Sequence, residues 1–146
     1  MIRAYQPDDL FAVQEVWYQA SLVAHPFLED DFLMLERKRI ADVYMPLAET
    51  WVYVLNEEVI GFLSLIEHEV GAIFVHPDQQ NKGMGRALMD HACTQSATLE
   101  LDVFKANAIG RRFYERYGFM PLKEHIHEET GNLLIRLRLE CESSTG

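Results

Sequence analysis

The chain has 146 residues and a formal net charge of −10, from 13 Lys and Arg against 23 Asp and Glu, and 49% of its residues are hydrophobic. This composition is typical of one globular domain and excludes an intrinsically disordered chain. The surplus of negative charge argues against nucleic acid and anionic membranes as partners and favours a cationic one.

The two cysteines, Cys93 and Cys141, are far apart in the chain and lie in no metal-ligand spacing such as Cys-x-x-Cys. We expect both to be free thiols in a reducing compartment. The N-terminus has no apolar stretch behind a basic one, and no segment is long and apolar enough to span a membrane. These observations predict a cytoplasmic protein.

The first part of the chain predicts a short strand and two helices. MIRAY alternates like a strand, and QPDDLFAVQEVWYQASLVA follows with start signals at Pro7 and Asp8 and apolar residues at helical spacing. After His25-Pro26-Phe27, a second helical pattern runs from about Glu29 to Tyr44, and Pro46 is expected to end it.

From Thr50 the pattern is dominated by strands. A hairpin is predicted from TWVYVL and VIGFLSLIE. A third strand is predicted at GAIFV and a fourth at TLELDVF, and a final pair of strands is predicted at FMPLKEHIH and NLLIRLRLE. Helices are predicted from Met84 to about Gln95 and from Asn107 to Tyr117, the latter closed by Gly118. The order β-α-α-β-β-β-α-β-α-β-β predicts a mixed, mostly antiparallel α/β sheet of about seven strands flanked by about four helices. Residues 1–140 form one predicted domain, and 141–146 a polar tail.

A glycine turn lies in VHPDQQNKGMGRALMDHA, just before the third helix. The turn lacks the Lys-Ser/Thr of a nucleotide-binding P-loop, and Leu88 stands where a dinucleotide-binding fingerprint needs its third glycine. Two interpretations remain: a plain tight turn, or backbone N–H groups that converge on an anion at a helix N-terminus.

The downstream helix NAIGRRFYERYGF, opened by Asn107, carries Phe113, Tyr114 and Tyr117. Together with QNKGMG, it resembles the GCN5-related N-acetyltransferases (GNAT family) of the small stand-alone bacterial type. The resemblance implies acetyl-CoA as co-substrate without a metal, an amine acceptor on a small molecule or a protein, and a monomer or homodimer.

The resemblance also implies the donor contacts. The strand before the turn would offer its backbone to the pantetheine arm where TLELDVF splays away, the turn would wrap the pyrophosphate, and Phe113 would pack near the thioester. The implied cofactor-binding residues are Ile73, Phe74, Val75, Asn81, Lys82, Gly83, Met84, Gly85, Arg86, Asn107 and Phe113.

Two residues are the implied catalytic groups. Tyr114 would protonate the departing thiolate, and Asp102 would accept the proton that the attacking ammonium must lose. Glu100, Glu67 and Glu69 are competing candidates for that base. Neither cysteine falls near the expected thioester, so the acetyl group would pass directly to the amine in a ternary complex.

Several features have a structural interpretation beside a functional one. Tyr114 also suits a half-buried helix tyrosine, and His25-Pro26-Phe27 suits a turn as well as an acceptor pocket. His125 and His127 are expected to be solvated rather than metal ligands. We expect four aromatic residues either to line the acceptor cleft or to fill the core: Trp17, Tyr18, Trp51 and Tyr53.

Two other functions are considered beside an enzyme. The first is a catalytically silent acyl-CoA-binding regulatory module. The second is a domain whose glycine turn is only structural.

Overall fold

The computed structural model describes residues 1–141, and its centre is a seven-stranded sheet in the order β1-β2-β3-β4-β5-β7-β6. Every neighbouring pair is antiparallel except β4 and β5, which are parallel. The predicted mixed, mostly antiparallel sheet is therefore confirmed. The strands are β1 Ile2–Ala4, β2 Glu49–Leu55, β3 Glu58–Ile66, β4 Glu69–Val75, β5 Thr98–Phe104, β6 Met120–Ile126 and β7 Leu133–Glu140.

Four main helices flank the sheet: α1 Leu10–Ala24, α2 Asp30–Arg39, α3 Met84–Gln95 and α4 Ala108–Tyr117. A 3-10 turn at Pro7–Asp9 leads into α1, as its start signals predict. The side chain of Asn107 caps α4 by accepting a hydrogen bond from the Gly110 N–H at 2.9 Å.

The end of the second helical segment differs from the prediction. A wide π turn at Ile40–Tyr44 follows α2, and a short helical piece continues through Met45–Leu47. Pro46 therefore lies inside the last turn instead of ending the helix. It is tolerated because it is the second residue of the short segment Met45–Leu47, in a first turn where its missing N–H needs no partner.

The sheet buries a separate apolar core on each face. Strand alternation sends Phe62 of β3 into the core beneath α1 and Leu63 into the core beneath α3, and both are at most 1% exposed. On the α3 side, Leu88 and Met89 pack against Leu99 of β5. Helices therefore pack on both faces of the sheet.

The two cysteines are bonded to each other, so the prediction of free thiols is wrong. Cys93 and Cys141 are 48 residues apart in sequence, but their Cα atoms lie 5.6 Å apart. Pairing of β5 with β7 explains the contact, because it brings the end of β7 beside the end of α3, and the Cys141 N–H donates to the Ala97 carbonyl at 2.8 Å. Cys141 thus belongs to the packed structure, whereas residues 142–146 of the predicted tail lie outside the described residues.

With both cysteines bonded, the expectation of a reducing compartment has no support from free thiols. No helix among residues 1–141 is long and apolar enough to cross a membrane.

Candidate active site

An opening in the sheet begins where β4 and β5 separate. The two strands pair only at Glu69 and Glu100, while β4 stays paired with β3 as far as Val75. Beyond Glu69, the β5-facing edge of β4 has no strand partner in the described part of the chain. The predicted splay is therefore present, and it leaves backbone groups of β4 free to bond to an extended ligand.

A cleft of about 1200 Å³ occupies this opening. Tyr114 and Asp102 lie in its walls, together with all the residues predicted to bind the cofactor except Lys82 and Met84. Met84 is 8% exposed and packs in the core, and Lys82 donates to the Gln79 side chain at 3.3 Å. The cleft residues predicted for the cofactor are Ile73, Phe74, Val75, Asn81, Gly83, Gly85, Arg86, Asn107 and Phe113.

The two glycines of the turn are required for different reasons. Gly83 is the N-cap of α3 and has φ +85°, a left-handed conformation that glycine adopts without strain. At Gly85 a Cβ would lie 3.3 Å from Cε1 of Phe113, so glycine permits close approach of that ring. Phe113 therefore packs against the turn.

The turn has a kinked backbone of the kind that can bind an anion. Asn81 also has a positive φ, 64°, and such kinked backbone at a helix N-terminus turns N–H groups toward a common point. The Gln80 side chain ties the turn to the end of β4 by donating to the Val75 carbonyl at 3.1 Å. The exposed Arg86 follows in the first turn of α3 and adds a positive charge.

Asn107 forms a buried pair with His25 in the cleft wall. The Nδ2 atom of Asn107 lies 3.2 Å from Nε2 of His25, and the two residues are 7% and 8% exposed. Burial lowers the pKa of His25 to about 4, so the ring is neutral at neutral pH. The sequence left His25 undecided between a turn and an acceptor pocket, and the structure places it in the cleft wall.

Tyr114 presents an unpaired hydroxyl in this cleft. No group among residues 1–141 hydrogen-bonds it, and burial raises the pKa of the phenol. Its ring packs edge-on against Phe113 and Phe119, with ring centres 5.5 and 5.6 Å apart. The neutral O–H is therefore available as a donor to a bound ligand.

Arginines form ion pairs with two of the other carboxylates that were considered as the general base, Glu69 and Glu100. Arg136 bonds both oxygens of Glu69 and also reaches Glu100 at 3.1 Å. Burial alone would raise the pKa of Glu100, but Arg136 and Arg138 lower it overall. Glu67 lies in an exposed turn. None of these three carboxylates is a free base in the cleft.

Asp102 has a different environment from the glutamates. One of its oxygens lies 2.9 Å from Nε2 of His125, and the other lies 3.5 Å from Arg136. His125 is therefore the partner of a carboxylate in the cleft wall. The expectation of a solvated histidine misses this contact.

His127, which was expected to be solvated, is a residue of the cleft wall. It lines the cleft with its ring packed edge-on against Phe32 of α2 and Phe104 of β5, and its Nδ1 lies 2.9 Å from the Thr130 hydroxyl. The alternation of His125 and His127 indicated that the two side chains share one face, but the sequence could not show which residues pack on that face. Of the four aromatic residues left undecided, Trp17 lines the cleft, while Trp51 packs against His91.

Comparison with known proteins identifies the family. A profile described as an acetyltransferase (GNAT) domain matches residues 46–121. The chain belongs to the GNAT family of acetyltransferases. It is 31% identical over 120 residues to the peptidyl-lysine N-acetyltransferase YiaC of Escherichia coli, covering 82% of each chain.

Solved GNAT structures share the whole fold. The apo form of YjaB from Escherichia coli has a TM-score of 0.85 at 23% identity, over 94% of this chain and 95% of that one. A GNAT acetyltransferase from Elizabethkingia anophelis, solved with acetyl-CoA bound, has a TM-score of 0.70 at 18% identity, over 96% and 97% of the two chains. The predicted family and fold are confirmed.

The chain is an N-acetyltransferase that uses acetyl-CoA, as its family membership indicates. Its own residues fit that donor. The free edge of β4 suits a peptide-like arm, and the kinked turn around Gly83, followed by Arg86, suits a pyrophosphate. Within residues 1–141, no group of three His, Cys, Asp or Glu side chains could hold a metal ion.

Proposed function

We propose that this GNAT enzyme transfers the acetyl group of acetyl-CoA directly to a primary amine while both substrates are bound, with Tyr114 as the general acid. The observation that carries the proposal is the unpaired Tyr114 hydroxyl in the same cleft as the glycine turn and Asn107. The other helix tyrosine, Tyr117, uses its hydroxyl to bond Asp90.

The donor side of the cleft supplies binding through backbone groups. We assign the pantetheine arm to Ile73–Val75, the pyrophosphate to Asn81–Arg86, and a side-chain contact with the arm to Asn107. These groups lie on a paired strand and at a helix N-terminus, elements that hold backbone donors and acceptors in fixed positions. Acetyl-CoA supplies the activated thioester when bound, and the proton transfers fall to side chains of this protein.

Tyr114 donates its proton to the sulfur that leaves. The raised pKa keeps the hydroxyl protonated across the neutral range, and a positioned O–H stabilises the negative charge that develops on the thiolate. A general acid of this kind contributes roughly 10²- to 10⁴-fold to the rate.

We assign Asp102, acting with His125, as the general base that accepts the proton lost by the amine. The carboxylate lies in the cleft wall, and its partner His125 has a side chain that is 39% exposed. The pair therefore offers a route by which a proton passes from Asp102 to solvent. Arg136, 3.5 Å from the second oxygen, holds the carboxylate in place.

Direct transfer is supported by the position of the cysteines. Cys93 and Cys141 are bonded to each other, and no cysteine lines the cleft within residues 1–141. The cleft therefore offers no thiol that could form an acetyl-cysteine intermediate. Initial rates with both substrates varied test this step: a ternary complex gives intersecting double-reciprocal lines, and parallel lines would rule it out.

The acceptor that we favour is a lysine side chain of a peptide or protein. YiaC is named a peptidyl-lysine N-acetyltransferase, and the net charge of −10 suits a cationic acceptor. Phe32 and Trp17 in the cleft wall would pack along the aliphatic part of lysine. The alternative of a silent regulatory module, which the family membership disfavours, predicts acetyl-CoA binding without transfer to any amine.

A further inference from the structure

We propose that His25 is a positioning residue for acetyl transfer: its neutral imidazole accepts a hydrogen bond from Asn107 and so holds the amide in the orientation that meets the donor. The inference rests on the proposed function, because it takes Asn107 to contact the arm of acetyl-CoA. A simple turn at His25-Pro26-Phe27 would not require the hydrogen bond between the imidazole and Asn107.

The direction of the hydrogen bond follows from the other end of the Asn107 amide. Its Oδ1 accepts from the Gly110 N–H at 2.9 Å, which an amide nitrogen could not do. The Nδ2 group therefore faces His25, 3.2 Å from Nε2. Since Nδ2 can only donate, Nε2 must be the unprotonated acceptor and the ring proton must be on Nδ1.

The surroundings of His25 favour the same neutral state. Its ring packs edge-on against Phe27 and Phe104, with ring centres 5.7 and 5.2 Å away, and the residue is 8% exposed. The Nδ1 atom is buried without a hydrogen-bond partner among the described residues. A buried donor left unpaired does not add to stability, so the imidazole is better explained by its bond to Asn107 than by packing.

The hydrogen bond joins two parts of the enzyme with different tasks. His25 follows the end of α1, in the segment expected to border the acceptor pocket, and Asn107 is the N-cap of α4, which carries Tyr114. The two residues are 82 positions apart in sequence. Fixing Asn107 from both ends thus couples the acceptor side of the cleft to the helix that holds the proposed acid.

Two substitutions separate positioning from packing. His25→Phe fills the space without an acceptor, whereas His25→Gln keeps an oxygen that can accept from Asn107. We expect His25→Phe to raise the acetyl-CoA Kd and KM about 5- to 10-fold, the effect of one lost hydrogen bond, with the amine KM unchanged. His25→Gln should stay within about twofold of wild type. Thermal melts confirm that both variants fold.

A double-mutant cycle tests the coupling to Asn107. In an Asn107→Ala background, His25→Phe should not weaken acetyl-CoA binding further. An unchanged acetyl-CoA affinity in the single His25→Phe variant, or a full additional loss in the Asn107→Ala background, would overturn the inference while leaving the proposed function intact. Absence of acetyl-CoA binding by the wild-type protein would overturn both.

A spectroscopic measurement on the wild-type protein tests the hydrogen bond between His25 and Asn107 without any substitution. The ¹⁵N chemical shifts of the His25 ring should show a neutral imidazole with the proton on Nδ1 at pH 7. A proton on Nε2 would contradict the hydrogen bond, whatever the enzyme assay shows.

Discussion

Tyr114 and Tyr117 stand three residues apart on α4, yet only Tyr117 has a hydrogen-bonded hydroxyl, which donates to Asp90 at 2.5 Å. The Tyr114 hydroxyl has no such partner among residues 1–141, although both rings line the cleft. This difference separates a tyrosine that joins α4 to α3 from one that can act on a substrate.

Replacing each tyrosine with phenylalanine should therefore have different effects. Tyr114→Phe should lower kcat by roughly 10²- to 10⁴-fold, because it removes the proposed acid. Its acetyl-CoA affinity should change little. Tyr117→Phe should keep kcat and lose about 1 kcal/mol of stability with the bond to Asp90. Steady-state kinetics and denaturant unfolding measure both, and an unchanged kcat in Tyr114→Phe would remove that residue from the mechanism.

The glycine turn allows a matched comparison with a distant glycine. Gly83 has φ +85° and Gly131 has φ +76°, and a Cβ at either position would meet nothing within 4 Å. Alanine should cost each site about 1–2 kcal/mol through backbone strain. Only Gly83→Ala should weaken acetyl-CoA binding as well, because only that turn is proposed to hold the pyrophosphate. Calorimetry of the two variants tests the assignment, and equal affinities would contradict it.

The bond between Cys93 and Cys141 should stabilise the fold. Closing a loop across 48 residues removes unfolded-state entropy worth about 4 kcal/mol in the chain-entropy description. A reductant should therefore lower the Tm of the wild type and leave that of Cys93→Ala unchanged. Thiol labelling of the native, unreduced protein provides an independent check, since labelling of both cysteines would show that the bond is absent.

His25 should make stability depend on pH in the acid range. Its folded pKa of about 4 lies below the ordinary value of 6.5, so between these values the unfolded chain binds more protons. Stability is then fully present above about pH 6.5 and falls by roughly 3 kcal/mol as the pH drops to 4.

The aromatic rings and the Asn107 amide that contact His25 do not titrate, so the effect should belong to the imidazole. His25→Phe and His25→Gln should both flatten the slope. Urea unfolding of the three proteins at several pH values measures it, and a slope unchanged by the substitutions would show that His25 titrates normally.

Local patterns were sufficient to predict most of the helices and strands. Alternation along β5, the glycine turn before α3 and the cap at Asn107 each depend on a few neighbouring residues. The structure has the elements within about two residues of their predicted bounds, except that α2 ends at Arg39 and a π turn continues to Tyr44. The left-handed backbone at Gly83 is likewise a local property.

Contacts between distant residues were not predictable in the same way. The bond from Asn107 to His25, the arginines on the carboxylates and the disulfide all depend on how strands pair and which helix covers them. Arg136 reaches Glu69 only because β7 inserts beside β5, a register that no short pattern specifies. The base and the acceptor side were therefore the least determined parts of the site.

The most direct test of the proposed function is mass spectrometry of a lysine-containing peptide incubated with the full chain and acetyl-CoA. We expect one added acetyl group on the lysine side chain, with free coenzyme A formed in equal amount and no product from Tyr114→Phe on the same timescale. Binding of acetyl-CoA without acetylation of this peptide or of any other amine would contradict the assignment and favour a silent acyl-CoA-binding module.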